Sequence, residues 1–386
     1  MKMKKWGALA LALMMGVSLA ACGGKDAGNT ETSSEPTAES APADATEEAA
    51  PATEEAGGEE GEAAAPAEGA QLALGMITDV GGVNDQSFNQ SSWEGMQMAG
   101  EQLGAEISYL ESKTDADYEP NIETMLDENK DLIIGVGFKL GPGIQKAAET
   151  YDDQQFAIID FAYADEEVPN KNITGLVFKA NECSYLVGYI AGKVSESGKI
   201  GFVSGMDSPT MNSFGYGYYA GILAARPDAT IYGQYADAFN DPAKGKAIAN
   251  QMYSDGVDIV FACAGDTGNG VIEAAKEKNL WVIGVDRDQN YLAPENVLTS
   301  AIKRVDMAVL DVSKRLAEGK LPGGETLVYG LESEGVGIAP SSDKNVPAEV
   351  LAEVKEIEAK IVSGEIKVPD TEEEFTQAFP DVAFMK

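Results

Sequence analysis

The chain predicts an α/β fold built as two doubly wound lobes with parallel sheets. Three observations carry this. Short continuous runs rich in Val and Ile, the mark of strands covered on both faces, alternate with amphipathic segments of helical length. The stretch from Gln71 to Lys386 is longer than one hydrophobic core usually fills. The alternation also divides into two sets, with a break near Thr174 to Glu182.

Taken in order, Lys2, Lys4 and Lys5 precede an apolar run from Trp6 to Ala21, too short for a membrane span and followed by Cys22. Residues 1–21 therefore read as a signal peptide. From Cys22 to Ala70 the chain is almost entirely Ala, Glu, Thr, Ser, Pro and Gly. Such a composition buries too little apolar surface to offset the entropy of ordering, so a disordered acidic tether is expected.

The strand-like runs are QLALGMI, AEISYLE, DLIIGVG, QFAIIDF, ITGLVF, KIGFVSG, ATIYGQYA, VDIVFACA and LWVIGVD, with VLTSAI after them. Helices are expected over Asn121–Glu128, Gly143–Tyr151, Ser184–Val194, Phe214–Ala225, Ala243–Met252 and Gly270–Lys278. One more follows Phe88, where Phe88, Trp93, Met96, Met98 and Leu103 recur at roughly helical spacing. No short internal repeat is evident, and the run Tyr163 to Glu167 reads as a solvated loop.

Composition excludes several function classes. The formal net charge of −36 opposes binding to nucleic acid, whose phosphates require a basic face. The absence of histidine removes His-based triads and His metal sites. Cys183 and Cys263 lie in apolar surroundings and read as buried free thiols rather than a disulfide framework. No metal motif or cofactor is implied.

Polar residues gather at the carboxyl ends of the strands, the binding edge of an open α/β sheet. Between the first strand and first helix lies TDVGGVNDQSFN, with Asp79, Phe88 and Asn89. Asp85 in the same loop reads as a helix N-cap, Gly81-Gly82 as a tight turn, and Phe88 equally as a core residue. Asp160 ends QFAIID and Asp286 ends VIGVD; each is a site carboxylate or a turn former. The glycine turn AGDTGNG, opened by Gly265, admits three readings: a phosphate cradle, a close approach to an uncharged ligand, or a plain turn. It matches neither GxGxxG nor a P-loop. Phe239 precedes a helix opened by Asp241-Pro242 and reads as a ring-stacking residue or as core. Lys303 is a donor to hydroxyls or ring acceptors, or an exposed lysine paired with Asp306.

The LAAC motif ending at Cys22 resembles the lipobox of bacterial lipoproteins. Together with the acidic tether, D-x-G-G-x-N-D-x-S-F-N, FAIIDF, SGMDSPTMNSFGYGYYAG, FNDPAKGK, AGDTGNGV, VIGVDRDQ and LTSAIKRVD, all in order, the chain closely resembles the basic membrane protein family, the nucleoside-binding lipoproteins of ABC importers. The resemblance covers about Leu72 to Ser342. It implies a periplasmic-binding-protein-like fold of the first type, with three crossovers as a hinge and ligand buried between the lobes. Lobe 1 is then 71–180 plus about 305–330, and lobe 2 is 181–304 plus about 331–386.

The resemblance places Asp79, Phe88, Asn89, Asp160, Phe239, Gly265, Asp286 and Lys303 on the nucleoside pocket. Phe88 and Phe239 would sandwich the base, the carboxylates would accept from hydroxyls or amines, and Asn89 and Lys303 would donate. Where relatives often carry a second glycine, this chain has Asp266. The implied partners are a nucleoside, an ABC permease with separate ATPase subunits, and the membrane through a lipidated Cys22; the protein is expected to be a monomer and not an enzyme. A sugar receptor on the same fold, a nucleoside hydrolase and an interaction-only surface protein are the rival readings.

Overall fold

The computed structural model describes residues 71–162 and 171–385. The expected signal peptide, lipidated Cys22, acidic tether and Tyr163–Glu167 loop lie outside the described residues. The first sheet is built from β1 (Ala73–Ile77), β2 (Glu106–Leu110), β3 (Leu132–Val136), β4 (Gln155–Ile159) and β5 (Ile173–Phe178), with helices α1 (Phe88–Leu103), α2 (Tyr118–Asp127) and α3 (Gly141–Thr150) between its strands. The second lobe opens with α4 (Ala180–Val194), then β6 (Lys199–Ser204), α5 (Pro209–Ala225), β7 (Thr230–Tyr235), α6 (Pro242–Ser254), β8 (Ile259–Cys263), α7 (Asp266–Lys278), β9 (Trp281–Asp286) and β10 (Val297–Lys303). The chain returns to the first lobe for α8 (Val305–Ala317) and β11 (Thr326–Tyr329). It ends in the second with β12 (Val336–Ile338), α9 (Ala348–Val362) and α10 (Glu372–Ala378).

Burial explains the strand pattern. LIIGV of β3 and IVFAC of β8 are covered on both faces and wholly buried, whereas EISYL of β2, at a sheet edge, is half exposed. The first sheet runs β11-β5-β4-β3-β1-β2 and the second β12-β10-β9-β8-β6-β7, parallel throughout except for β12. The two orders correspond strand for strand, with the outermost strand of the second sheet reversed in direction. The topology is thus duplicated although the sequence shows no short repeat, because a βαβ order needs only the pattern of burial and not particular residues.

Three crossovers join the lobes: Lys179 between β5 and α4, Arg304 between β10 and α8, and Gly330–Gly335 between β11 and β12. They run side by side, with Lys179 N–H donating to the Tyr329 carbonyl (2.9 Å) and Arg304 N–H to that of Gly335 (2.8 Å). This is the hinge of a first-type periplasmic-binding-protein-like fold. The sequence does not mark β11 or β12, whose four and three residues are too short to show a pattern.

Helices α2 to α7 each begin before the expected position, by as much as five residues at α5. The SGMDSPTMNSFGYGYYAG run is mostly α5, and its glycines serve contact: a Cβ on Gly217 or Gly221 would collide with the backbone of α4 at Asn181 or Tyr185. The C-terminal segment completes the core of the second lobe. Phe375 is buried against Tyr216 and Tyr219, and the Phe384 ring lies 4.6 Å from that of Tyr216.

Candidate functional site

The loop from β1 to α1 is held by its own carboxylates. Asp79 Oδ1 accepts from Gly81 N–H (2.9 Å) and from Asn89 Nδ2 (2.7 Å), and its N–H donates to Asn89 Oδ1 (3.2 Å). Asp85, buried, accepts from the backbone N–H groups of Ser87, Asn89 and Gln90 and from Asn89 Nδ2. Asp85 therefore satisfies the open end of α1, although Ser87 occupies the N-cap position. Asn89 has both amide hydrogens committed to Asp79 and Asp85, so it positions a carboxylate where the family resemblance implied a donor to ligand.

The strand-end aspartates come to the same place from opposite lobes. Asp160 follows β4 and Asp286 ends β9, and both adopt left-handed backbone, φ 65° and 64°, which turns each carboxylate over the end of its sheet. Asp160 Oδ2 pairs with Lys303 Nζ, while its Oδ1 is buried with no partner. Asp286 Oδ2 accepts from Ser87 Oγ across the cleft. Lys303 is buried, not exposed, and Asp306 is paired with Arg304 instead. The Lys303 ammonium lies 4.6, 5.0 and 5.7 Å from the ring centroids of Phe88, Phe178 and Phe214, a cation held by one carboxylate and three aromatic faces.

All eight sequence-predicted residues, Asp79, Phe88, Asn89, Asp160, Phe239, Gly265, Asp286 and Lys303, line one pocket between the lobes. Its walls bound about 510 Å³ of space free of protein atoms, part of it open to solvent. Burial drives the electrostatics. It pushes the carboxyls of Asp79 and Asp286 up to about 6 and raises Asp85, against hydrogen bonds to Asp79 and Asp85 and the Lys303 charge beside Asp286. Asp79 Oδ2, Asp160 Oδ1 and Asp286 Oδ1 have no hydrogen-bond partner among the described residues. The pocket is therefore rich in acceptors and holds a single buried cation.

Sequence reasoning missed several wall residues. Phe138 follows Gly137, whose φ of 104° and missing Cβ let the chain pass beside Asp79 and Phe88. The Phe138 ring meets Phe239 edge to face across the cleft, centroids 6.3 Å apart. Phe239 itself lies over Gly205, where any side chain would strike the ring. The signal for Phe138 was its place just past the end of a buried strand, the same logic that selected Asp160. Phe214, inside α5, offered none.

The glycine turn is a correction. Only Gly265 precedes α7; Asp266 to Gly270 are already helix, and a Cβ on Gly270 would strike the Pro242 carbonyl of α6. Gly270 thus serves the packing of α7 on α6, and Gly268 faces the Ala262 carbonyl of β8. Asp266 is no part of the pocket wall: its Oδ1 accepts from Asn269 Nδ2 (2.9 Å), which also donates to the Asp85 carbonyl of the other lobe (2.9 Å). Cys183 and Cys263 are both free and buried, and burial raises both thiols, Cys183 to about 12.

Known proteins agree with this architecture. A solved ABC transporter solute-binding protein from Aeropyrum pernix superposes with a TM-score of 0.73 at 28% identity, covering 80% of this chain and 97% of that one. The "CD4+ T-cell-stimulating antigen" of Listeria monocytogenes is 43% identical over 318 residues, 77% of this chain and 88% of that protein. The "ABC transporter nucleoside-binding protein BmpA" of Lactococcus lactis subsp. cremoris is 37% identical over 319 residues, 77% of this chain and 89% of that protein. The profile of the Bmp family, described as "ABC transporter substrate-binding protein PnrA-like", matches residues 73–372. The chain belongs to that family, the non-enzymatic, extracytoplasmic substrate-binding components of ABC transporters.

Proposed function

We propose that the protein captures nucleosides, purine nucleosides foremost, in the cleft between its lobes and delivers them to a permease driven by separate ATPase subunits. The observation that carries this reading is the set of three carboxylate oxygens without protein donors, set beside aromatic rings and one cation. Such a wall suits a ligand with several hydroxyl or amine donors and a flat ring. Ribose and base together offer both, and the name of the Lactococcus relative supports the choice.

In this reading Asp79, Asp160 and Asp286 accept from the ligand, Lys303 fixes Asp160, and Asn89 holds Asp79 in place. Phe88 and Phe239 supply the rings. Ligand docks on one lobe and the hinge closes the other over it, exchanging pocket water for stacking and hydrogen bonds. Nucleotides bind poorly, because a phosphate would meet the carboxylates. Cys22, through its lipobox, anchors the chain to the membrane, and the protein acts as a monomer.

Thermal unfolding against nucleosides, bases, nucleotides and simple sugars tests this. A ligand specific for the folded state stabilises it by about 2.7 kcal/mol at a hundredfold excess over its dissociation constant. A shift with inosine, guanosine or adenosine, reduced by Phe88→Ala and Asp286→Ala, is the expected result. Equal shifts with the monophosphates would overturn the exclusion of nucleotides, and shifts with sugars alone would replace the nucleoside reading with a sugar receptor.

A further inference from the structure

We propose that Glu94, Arg287, Tyr291 and Gln86 form a latch on the rim of the cleft that sets how long a captured ligand is retained, without touching it. The proposal rests on the reading of ligand capture between the lobes. None of the four residues lines the pocket. They form a chain of contacts from one lobe to the other.

Glu94 stands in the second turn of α1, and Arg287 is the first residue after β9. Arg287 grips Glu94 at two points, Nη2 to Oε1 at 2.5 Å and Nε to Oε2 at 3.2 Å. Its Nη1 donates to the Tyr291 hydroxyl (3.1 Å), which donates in turn to Gln86 Oε1 (2.6 Å). A second strand of the latch comes from Gln289, whose Nε2 donates to the Gln86 carbonyl (2.9 Å). Gln289 is fixed in its own lobe, accepting from Val285 N–H (2.9 Å) and donating its backbone N–H to Ser300 Oγ (3.2 Å).

The two ends differ in rigidity. The second-lobe end is anchored on the sheet, whereas Gln86 sits in left-handed backbone, φ 59°, costly for a residue with a side chain. Closure holds Gln86 in that conformation through two contacts that opening would remove. The next residue, Ser87, donates to Asp286 inside the pocket, so the latch and the ligand wall share one loop. A two-point guanidinium–carboxylate pair adds geometric specificity, and its partial exposure, 20% for Arg287 and 38% for Glu94, leaves it open to screening by salt. Breaking it therefore speeds opening while the ligand contacts stay intact.

The test is stopped-flow release of inosine, guanosine and adenosine from the full-length protein. Glu94→Gln and Arg287→Gln are expected to raise the dissociation rate about fivefold, with association changed by less than about twofold. The exchanged pair, Glu94→Arg with Arg287→Glu, is expected to return it toward the wild-type rate, and high salt to accelerate release from the wild type but not from Glu94→Gln. Unchanged release from both single variants, or faster release that the exchanged pair does not rescue, would overturn the latch.

Backbone hydrogen exchange of the ligand-free protein keeps the two readings apart. Glu94→Gln is expected to speed exchange over residues 84–91 and 287–291. If it does so while no nucleoside binds the wild type, the latch stands and the nucleoside reading fails. If exchange is unmoved, the latch fails whatever the protein binds.

Discussion

Asp160 and Asp286 occupy equivalent places in the two sheets, at the ends of β4 and β9, with nearly the same left-handed backbone, yet their surroundings divide them. Asp160 has one oxygen against the Lys303 ammonium and one with no partner; Asp286 accepts a hydroxyl hydrogen from Ser87 of the other lobe, and its carboxyl is pushed up to about 6. A repeated fold thus repeats a position, and residues distant in the chain decide its chemistry. Asp160 is held by a buried ion pair whose cation belongs to the second lobe. Asp286 is held by a neutral hydroxyl of the first lobe, so both contacts cross between the lobes and differ in the charge of the partner.

The largest effect expected from this contrast is on stability. Lys303→Met strands the Asp160 carboxylate in the interior, and removing one partner of a buried pair costs about 3–5 kcal/mol. Denaturant unfolding should show that loss, and the double variant Lys303→Met with Asp160→Asn should recover much of it. No loss in the single variant would mean that the pair is not a buried one.

Asp286→Asn is expected to act the other way. Asparagine tolerates left-handed backbone, so the free protein keeps its melting temperature or gains by losing a buried carboxylate. Nucleoside affinity falls by about 1.5–3 kcal/mol, the range for a hydrogen bond to a charged group. Isothermal titration separates the outcomes: unchanged affinity would remove Asp286 from the ligand wall.

The dependence on pH sharpens the same point. Asp79 and Asp286, raised from the ordinary 3.8 to about 6, bind more protons in the folded state than in the unfolded one across that window. Their contribution to the stability of the free protein is therefore most favourable below the window and is lost as pH rises through it. Ligand donors favour the ionised carboxylates, so nucleoside affinity should rise over the same range and level off above about 6. Melting curves at pH 5 and 7 with and without inosine should show the gap widening with pH. A gap of constant width would mean that these carboxylates do not meet the ligand.

The smallest expected effect is that of Phe138→Ala. Loss of an edge-to-face partner of Phe239 is worth about 0.5–1.5 kcal/mol, a weakening of roughly twofold to tenfold in affinity by titration. Phe138→Leu should recover part of it.

Much of this was legible in the sequence. Continuous apolar runs identified the strands that parallel sheets bury, and the strand-end rule selected Asp79, Asp160, Gly265 and Asp286. The family resemblance placed these four with Phe88, Asn89, Phe239 and Lys303 on one pocket. Phe138, just past a strand end, was open to the same rule and missed. The role of Asn89 was not legible, because its amide could face ligand or scaffold until the positions of Asp79 and Asp85 were known. Nor was the need for Gly270 in GDTGNG, which arises from the backbone of α6.

By itself the sequence determined the α/β alternation, the acidic character and the strand ends at which polar residues collect, since these follow from local burial patterns and composition. The tertiary structure alone decided which polar atoms are satisfied and which remain open. Lys303 meets Asp160 across 143 residues of chain and Arg287 meets Glu94 across 193. Those meetings depend on how two lobes close about three crossovers, and no local pattern encodes a distance between residues so far apart.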